Sequence, residues 1–258
     1  MGDRDDKRKR KQRLDQLLVE RGLAESRSRA QALIMAGNVY SDTRRLDKPG
    51  QSLAADAPLE VKGRDHPWVS RGGIKLAHGL DRFEISPAEL VCLDIGASTG
   101  GFTDVLLNQG AAKVYAVDVG HGQLAWKLRQ DPRVVVLERC NARYLTVESV
   151  PELIDLVTCD ASFIGLETIL PAPLALATPG ARLVALVKPQ FEVGRGEVGK
   201  GGVVRDSALH QAVVARVRNW LEARPGWRVL GIEESPIRGP EGNVEFLIAA
   251  VLDEAETG

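Results

Sequence analysis

The chain has 258 residues, 44% hydrophobic and 27% charged, enough to bury a sizeable core and to divide into one small and one larger domain. No apolar run approaches the roughly 20 residues a membrane helix needs, and the charged start lacks the apolar stretch of a secretory signal, so a soluble cytoplasmic protein with no membrane partner is expected. The net charge of -1 conceals an asymmetry: residues 1–62 carry 14 Lys+Arg against 10 Asp+Glu, and the remainder 20 against 25, so the front end is suited to a polyanion. Cys92, Cys140 and Cys159 are far apart in or beside apolar runs, which speaks against disulfides and zinc. His66, His78, His121 and His210 show no ligand spacing, and no metal is expected.

In chain order, the first feature is the basic run Lys7, Arg8, Lys9, Arg10, Lys11 with Arg13, which taken alone reads equally as a solvated tail or an RNA contact. Over residues 13–21, Leu14, Leu17 and Leu18 share one helical face, and Gly22 can end the helix in the left-handed conformation. Ser26 can cap a second helix over about 27–36, with Ala30, Leu33 and Ile34 as its apolar stripe and Gly37 as its stop. Arg27 and Arg29 then fall in an exposed first turn, where positive charge opposes the helix dipole unless an anion is bound. A strand at Asn38–Asp42, a turn at Lys48-Pro49-Gly50 and a strand at Leu59–Val61 complete two helices on a small sheet.

Arg13-Leu14-Asp15, Ser26-Arg27-Ser28-Arg29-Ala30 and Ala36-Gly37-Asn38-Val39 together resemble the S4 RNA-binding domain. The resemblance implies an α+β RNA-binding domain over residues 1–62, touching structured RNA through its second helix and basic tail, mainly at phosphate. Ordinary helix-surface charge is the competing reading of these arginines.

Residues 63–69 are polar and turn-prone and read as a linker, with Trp68 and Val69 packing it down. Over 70–253, apolar runs at about 91–95, 113–118, 133–137, 154–159, 182–187, 227–232 and 244–251 alternate with helical segments. That pattern predicts an α/β domain with a seven-stranded, mostly parallel sheet covered on both faces. The first strand runs into Asp94-Ile95-Gly96-Ala97-Ser98-Thr99-Gly100-Gly101-Phe102-Thr103 and a helix to about Asn108. The glycine spacing is not the dinucleotide fingerprint. Asp94 would repel a pyrophosphate but suits a ligand with a cationic amino group and no phosphate, a description S-adenosylmethionine fits. Asp118 stands where an acid accepts bonds from ribose hydroxyls, so the expected cofactor wall is Asp94, residues Gly96 to Phe102 (Gly96, Ala97, Ser98, Thr99, Gly100, Gly101, Phe102), Asp118, Val119 and Asp160.

Thr158-Cys159-Asp160-Ala161-Ser162-Phe163 lacks the proline pair common to exocyclic-amine methyltransferases. Cys159 offers a nucleophile for cytosine carbon, but it adjoins Asp160 on a strand, so the two should face opposite ways. Lys75, Asp160, Lys188 and Glu245 together resemble the Lys-Asp-Lys-Glu tetrad of FtsJ-type ribose 2′-O-methyltransferases, which implies a Rossmann-like class I methyltransferase in which Glu245 approaches Lys188. An amine protonated in water acts as a base only where its surroundings favour the neutral form, so Lys188 is the expected base and the other three the orienting groups. The glycine-rich segment after Lys188 reads as too irregular to pack and able to close over substrate, with Arg195, Lys200 and Arg205, and Arg71 before the first helix, as candidate phosphate contacts.

An S4-like front joined to an FtsJ-like body resembles the TlyA family over essentially the whole chain, including Trp68-Val69-Ser70-Arg71-Gly72-Gly73 and Val187-Lys188-Pro189-Gln190-Phe191-Glu192. The resemblance implies cytidine 2′-O-methylation in ribosomal RNA, with S-adenosylmethionine as donor and ribosomal subunits as partners. Some members are labelled haemolysins. The rival expectations are a membrane-active toxin and an RNA-binding assembly factor with a vestigial catalytic fold.

Overall fold

In a computed structural model, residues 11–24, 26–61, 66–194 and 196–253 are described. The chain forms two compact units, Met1–Ser70 and Arg71–Gly258.

In the first unit β1 (Lys11–Arg13) leads into α1 (Leu14–Glu20), followed by α2 (Arg27–Met35), β2 (Val39–Ser41), β3 (Arg44–Arg45), β4 (Ser52–Ala54) and β5 (Glu60–Val61). Gly22 and Gly37 adopt φ of 65° and 75° directly after the two helices, as chain reversal at a helix end requires. Ser26 caps α2, its hydroxyl accepting from the Arg29 N–H at 3.2 Å. Leu14, Leu18, Ala30, Ile34, Val39 and Leu46 form the core. Two small sheets form where one was expected: β3-β2-β5 and a β1-β4 pair. The second exists because Lys11–Arg13 is extended, so α1 starts one residue later than the apolar pattern suggests.

The second unit runs α3 (Gly72–Arg82), β6 (Val91–Ile95), α4 (Gly101–Asn108), β7 (Lys113–Asp118), α5 (Trp126–Arg129), β8 (Val134–Glu138), β9 (Ile154–Cys159), α6 (Leu166–Ile169), α7 (Pro171–Leu174), β10 (Ala177–Val187), α8 (Pro189–Glu192), α9 (Ser207–Glu222), β11 (Trp227–Glu234) and β12 (Phe246–Leu252). The seven-stranded sheet has the order β11-β12-β10-β9-β6-β7-β8, with β12 antiparallel to both neighbours and the β10-to-β8 pairs parallel. This is the Rossmann-like α/β methyltransferase architecture. β10 begins five residues before the expected run, across an irregularity between Ala177 and Arg182. Leu93, Val157, Leu183, Ala185 and Ile248 sit in the sheet's buried core. Because β12 runs antiparallel, its start lies beside the ends of β9 and β10, so Glu245, Asp160 and Lys188 come from three strands to one edge.

Candidate active site

At that edge the backbone leaves β6 through Gly96, whose φ is 78° and where a Cβ would stand 3.0 Å from the backbone of Asp160 and Ala161. Only glycine meets both conditions. Ser98 follows with φ of 48°, and Gly100 with 96° closes the turn before α4. Asp118, ending β7, ties this turn down: the backbone N–H of Ser98 donates to it at 2.8 Å and that of Gly120 at 2.6 Å. Each carboxylate oxygen keeps a further lone pair for a ligand.

Between the Gly96 turn, Asp118 and Asp160 opens a cavity of about 430 Å³, a size suited to a small-molecule ligand. Ile95, Val117, Val119, Ala142 and Ile164 supply an apolar wall; Asp118, Asn141 and Asp160 supply polar groups. Asn141 and Cys140, at the end of β8, escape sequence reasoning because a lone polar residue after a strand carries no pattern. Val119 is 70% exposed.

Asp94 does not line this cavity. It is fully buried, accepting from Thr103 Oγ1 at 2.6 Å and Thr158 Oγ1 at 3.2 Å, and burial pushes its carboxyl up to about 7. Its contacts hold α4 and β9 to β6. Ala97, Thr99, Gly100, Gly101 and Phe102 build the turn and first helical residues, while Gly96, Ser98, Asp118, Val119 and Asp160 reach the cavity.

Two ion pairs stand at the same sheet edge, and Asp160 of the first lines the cavity. Lys188 Nζ lies 2.6 Å from Asp160 Oδ1 and donates to the Asp160 carbonyl oxygen and to Ser162 Oγ, both at 3.1 Å. Lys75 Nζ donates to Glu245 Oε2 at 2.6 Å. The Glu245 carboxylate was expected beside Lys188, and the register does place the two residues next to each other, one step beyond the Val187–Phe246 pair. The carboxylate turns to Lys75 instead. Gly79, one turn further along α3, has room for only a tight Cβ, 3.3 Å from Leu247 and Val184, so α3 lies close on β10 and β12 and lowers Lys75 onto Glu245. Lys75, Lys188 and Glu245 are each at most 6% exposed. Buried ion pairs add little net stability, so their grouping at the carboxyl edge of the parallel strands, where α/β proteins hold ligands, is a functional signature.

Cys159 points away from this group. It is fully buried in the core, and burial pushes its thiol up to about 12, which leaves no thiolate for nucleophilic attack. Phe163, two residues past Asp160's neighbour, is 89% exposed with φ of 66°, its ring 4.9 Å from that of Phe191.

The candidate RNA contacts divide. Lys7, Arg8, Lys9, Arg10 and Arg195 lie outside the described residues, as do residues 62–65 of the linker region. Lys11, Arg29, Lys200 and Arg205 are exposed. Arg13 and Arg27 both bond the buried Asp15 carboxylate at 2.9 Å, so an internal anion already offsets the charge in the first turn of α2. Arg71 is exposed and donates to the Arg238 carbonyl at 3.1 Å. The segment after Lys188 packs more than its composition suggests: Val203 and Val204 are buried, and Asn243 clamps them, accepting from the Val204 N–H at 3.1 Å and donating to the Gly202 carbonyl at 3.0 Å.

Among the described residues no helix is long and apolar enough to cross a membrane, and no group of three His, Cys, Asp or Glu side chains is placed to hold a metal.

Residues 68–252 match the FtsJ-like methyltransferase family and residues 12–57 the S4 domain. The chain is 52% identical over 241 residues, 93% of its length and 89% of the relative's, to the 16S/23S rRNA (cytidine-2′-O)-methyltransferase TlyA of Mycobacterium tuberculosis. It is 53% identical over 243 residues, covering 93% of itself and 85% of the relative, to YqxC of Bacillus subtilis, provisionally an rRNA methyltransferase. A solved structure from Streptococcus thermophilus, provisionally described as a hemolysin, aligns with a TM-score of 0.76 at 44% identity over 96% of this chain and 90% of that one.

Proposed function

The chain belongs to the TlyA family of FtsJ-like methyltransferases, and from that premise we propose that it methylates the ribose 2′-hydroxyl of a cytidine in ribosomal RNA, using S-adenosylmethionine. The reading is carried by the buried Lys188–Asp160 and Lys75–Glu245 pairs at one sheet edge, with Asp160 also lining the 430 Å³ cavity.

The cavity fits the donor. Its apolar wall suits a flat adenine, Asn141 offers an amide at that end, and Asp118 offers carboxylate oxygens to ribose hydroxyls. The glycine at position 96 lets the turn that lines the cavity lie directly against the Asp160–Ala161 backbone. When bound, S-adenosylmethionine supplies an electrophilic methyl group.

The protein's own residues do the rest. Asp160 holds Lys188 at the cavity rim, so that a hydroxyl brought there is oriented and its proton has a destination. Glu245, fixed by Lys75, stands beside Lys188 at the same sheet edge, one register step beyond the Val187–Phe246 pair. Phe163 offers an open aromatic face on which an unstacked base can rest. In the S4 unit, Lys11, Arg13, Arg27 and Arg29 would bind the RNA backbone, joined by the exposed Arg71, Lys200 and Arg205 of the second unit; the Asp15-held guanidiniums keep exposed faces, being 41% and 54% exposed. These assignments imply a cytoplasmic enzyme acting on ribosomal subunits.

The test is nucleoside mass spectrometry of ribosomal RNA from cells with and without the protein. A 2′-O-methylcytidine that disappears with the protein supports the reading; an unchanged nucleoside set contradicts it.

A further inference from the structure

Three protein oxygens surround Lys188 Nζ: Asp160 Oδ1 at 2.6 Å as its ion-pair partner, and the Asp160 carbonyl and Ser162 Oγ, which each accept a hydrogen bond from it at 3.1 Å. Lys188 itself is only 6% exposed. Its access to a hydroxyl in the cavity therefore runs past these three atoms. Two belong to Asp160, one of them a backbone carbonyl that carries no proton. The third, the Ser162 hydroxyl, is on an exposed residue of the cavity wall and can both donate and accept. The left-handed φ of 66° at the next residue, Phe163, is a conformation that a non-glycine residue rarely adopts, and it sets the course of the chain beside Ser162.

The 3.1 Å contact between Nζ and Oγ serves in either direction: N–H to oxygen when the lysine is an ammonium, O–H to nitrogen when it is a neutral amine. We propose that Ser162 is a further catalytic residue, a relay that takes the proton from the ribose 2′-hydroxyl and passes its own to Lys188. This rests on the ribose-methylation reading above. In the step, the oxygen–methyl bond forms and the carbon–sulfur bond breaks, its electron pair staying on sulfur. The ribose proton moves to Ser162 Oγ, the Ser162 proton moves to the Lys188 amine, and Lys188 afterwards releases a proton to solvent. Serine is unchanged at the end.

The experiment compares Ser162→Ala and Ser162→Thr with the wild-type full chain, using ribosomal subunits and labelled donor. Ser162→Ala should lower kcat about a hundredfold, the lower end of what positioned proton transfer provides, while KM for the subunits and donor affinity by calorimetry stay as in the wild type. Ser162→Thr, which keeps the hydroxyl, should restore kcat to within about threefold of wild type. The relay is overturned if Ser162→Ala keeps kcat within twofold, if its loss appears in KM or donor affinity alone, or if the threonine variant is as poor as the alanine one. Absence of ribose methylation by the wild type is a different outcome, which overturns the underlying reading.

Discussion

Lys75 Nζ and Glu245 Oε2 lie 2.6 Å apart although 170 positions separate them in the chain, and both side chains are buried. Removing one partner strands the other charge, so Lys75→Met should destabilise the protein by about 3–5 kcal/mol. A double replacement, Lys75→Met with Glu245→Leu, should regain most of that loss while leaving turnover abolished. Urea unfolding and methyl-transfer assays on the same preparations check this. A double variant that regains both stability and turnover would reduce the pair to packing.

Lys188 is expected to act in the chemical step. Lys188→Ala should reduce kcat by about 10²–10⁴-fold with little change in donor or RNA affinity, whereas loss of a binding contact would mainly raise KM. Cys159→Ser in the same assay should stay active, because the thiol is buried in the core. An active Lys188→Ala, or an inactive but folded Cys159→Ser, would reverse these roles.

Asp94 gives a pH dependence with a definite sign. Burial raises its carboxyl to about 7, while in the unfolded chain an aspartate ionises near about 3.9. Its contribution to stability is thus intact below about pH 4 and is lost as pH rises towards 7. Asp94→Asn, neutral throughout, should gain on the wild type across that window by up to about 4 kcal/mol. Parallel stability curves for the two proteins between pH 4.5 and 7.5 would show that Asp94 is ionised in the fold.

Asp15 behaves in the opposite sense. Hydrogen bonding from Arg13 above all, with Gln31 and Arg27, holds its carboxyl well below the usual carboxylate range against the effect of burial. The stability it contributes is present above about pH 4 and disappears as the pH falls further. Asp15→Ala should cost about 3–5 kcal/mol and speed amide exchange in α1 and α2, which the carboxylate links. Unchanged exchange over residues 14–36 would show that the arginines need no internal anion.

Much of this was legible in the chain. Val91-Cys92-Leu93 and Val114-Tyr115-Ala116-Val117 are apolar runs that read as buried strands, and Ser26 with Gly37 brackets α2 by capping chemistry. Residues 177–181 contain Thr178-Pro179-Gly180, which reads as a turn, and only the pairing of Ala177 with Ile154 of β9 carries β10 back to that point. Side-chain partners were harder. The Lys75–Glu245 pairing depends on how closely Gly79 lets a helix approach, and the Arg27–Asp15 contact on the packing of two helices. Ser162 was hidden for another reason: a serine in a loop has no periodicity, and its place beside Lys188 exists only once β9 and β10 are side by side.

Transfer of the methyl group to a ribose oxygen can be read from the position of the label. The protein is incubated with methyl-labelled S-adenosylmethionine and ribosomal subunits, the RNA is digested to nucleosides, and the glycosidic bond is cleaved. Label recovered with the ribose, on cytidine, is the predicted result. Label recovered with the free base would contradict the assignment of Lys188, Asp160, Lys75 and Glu245 to ribose methylation.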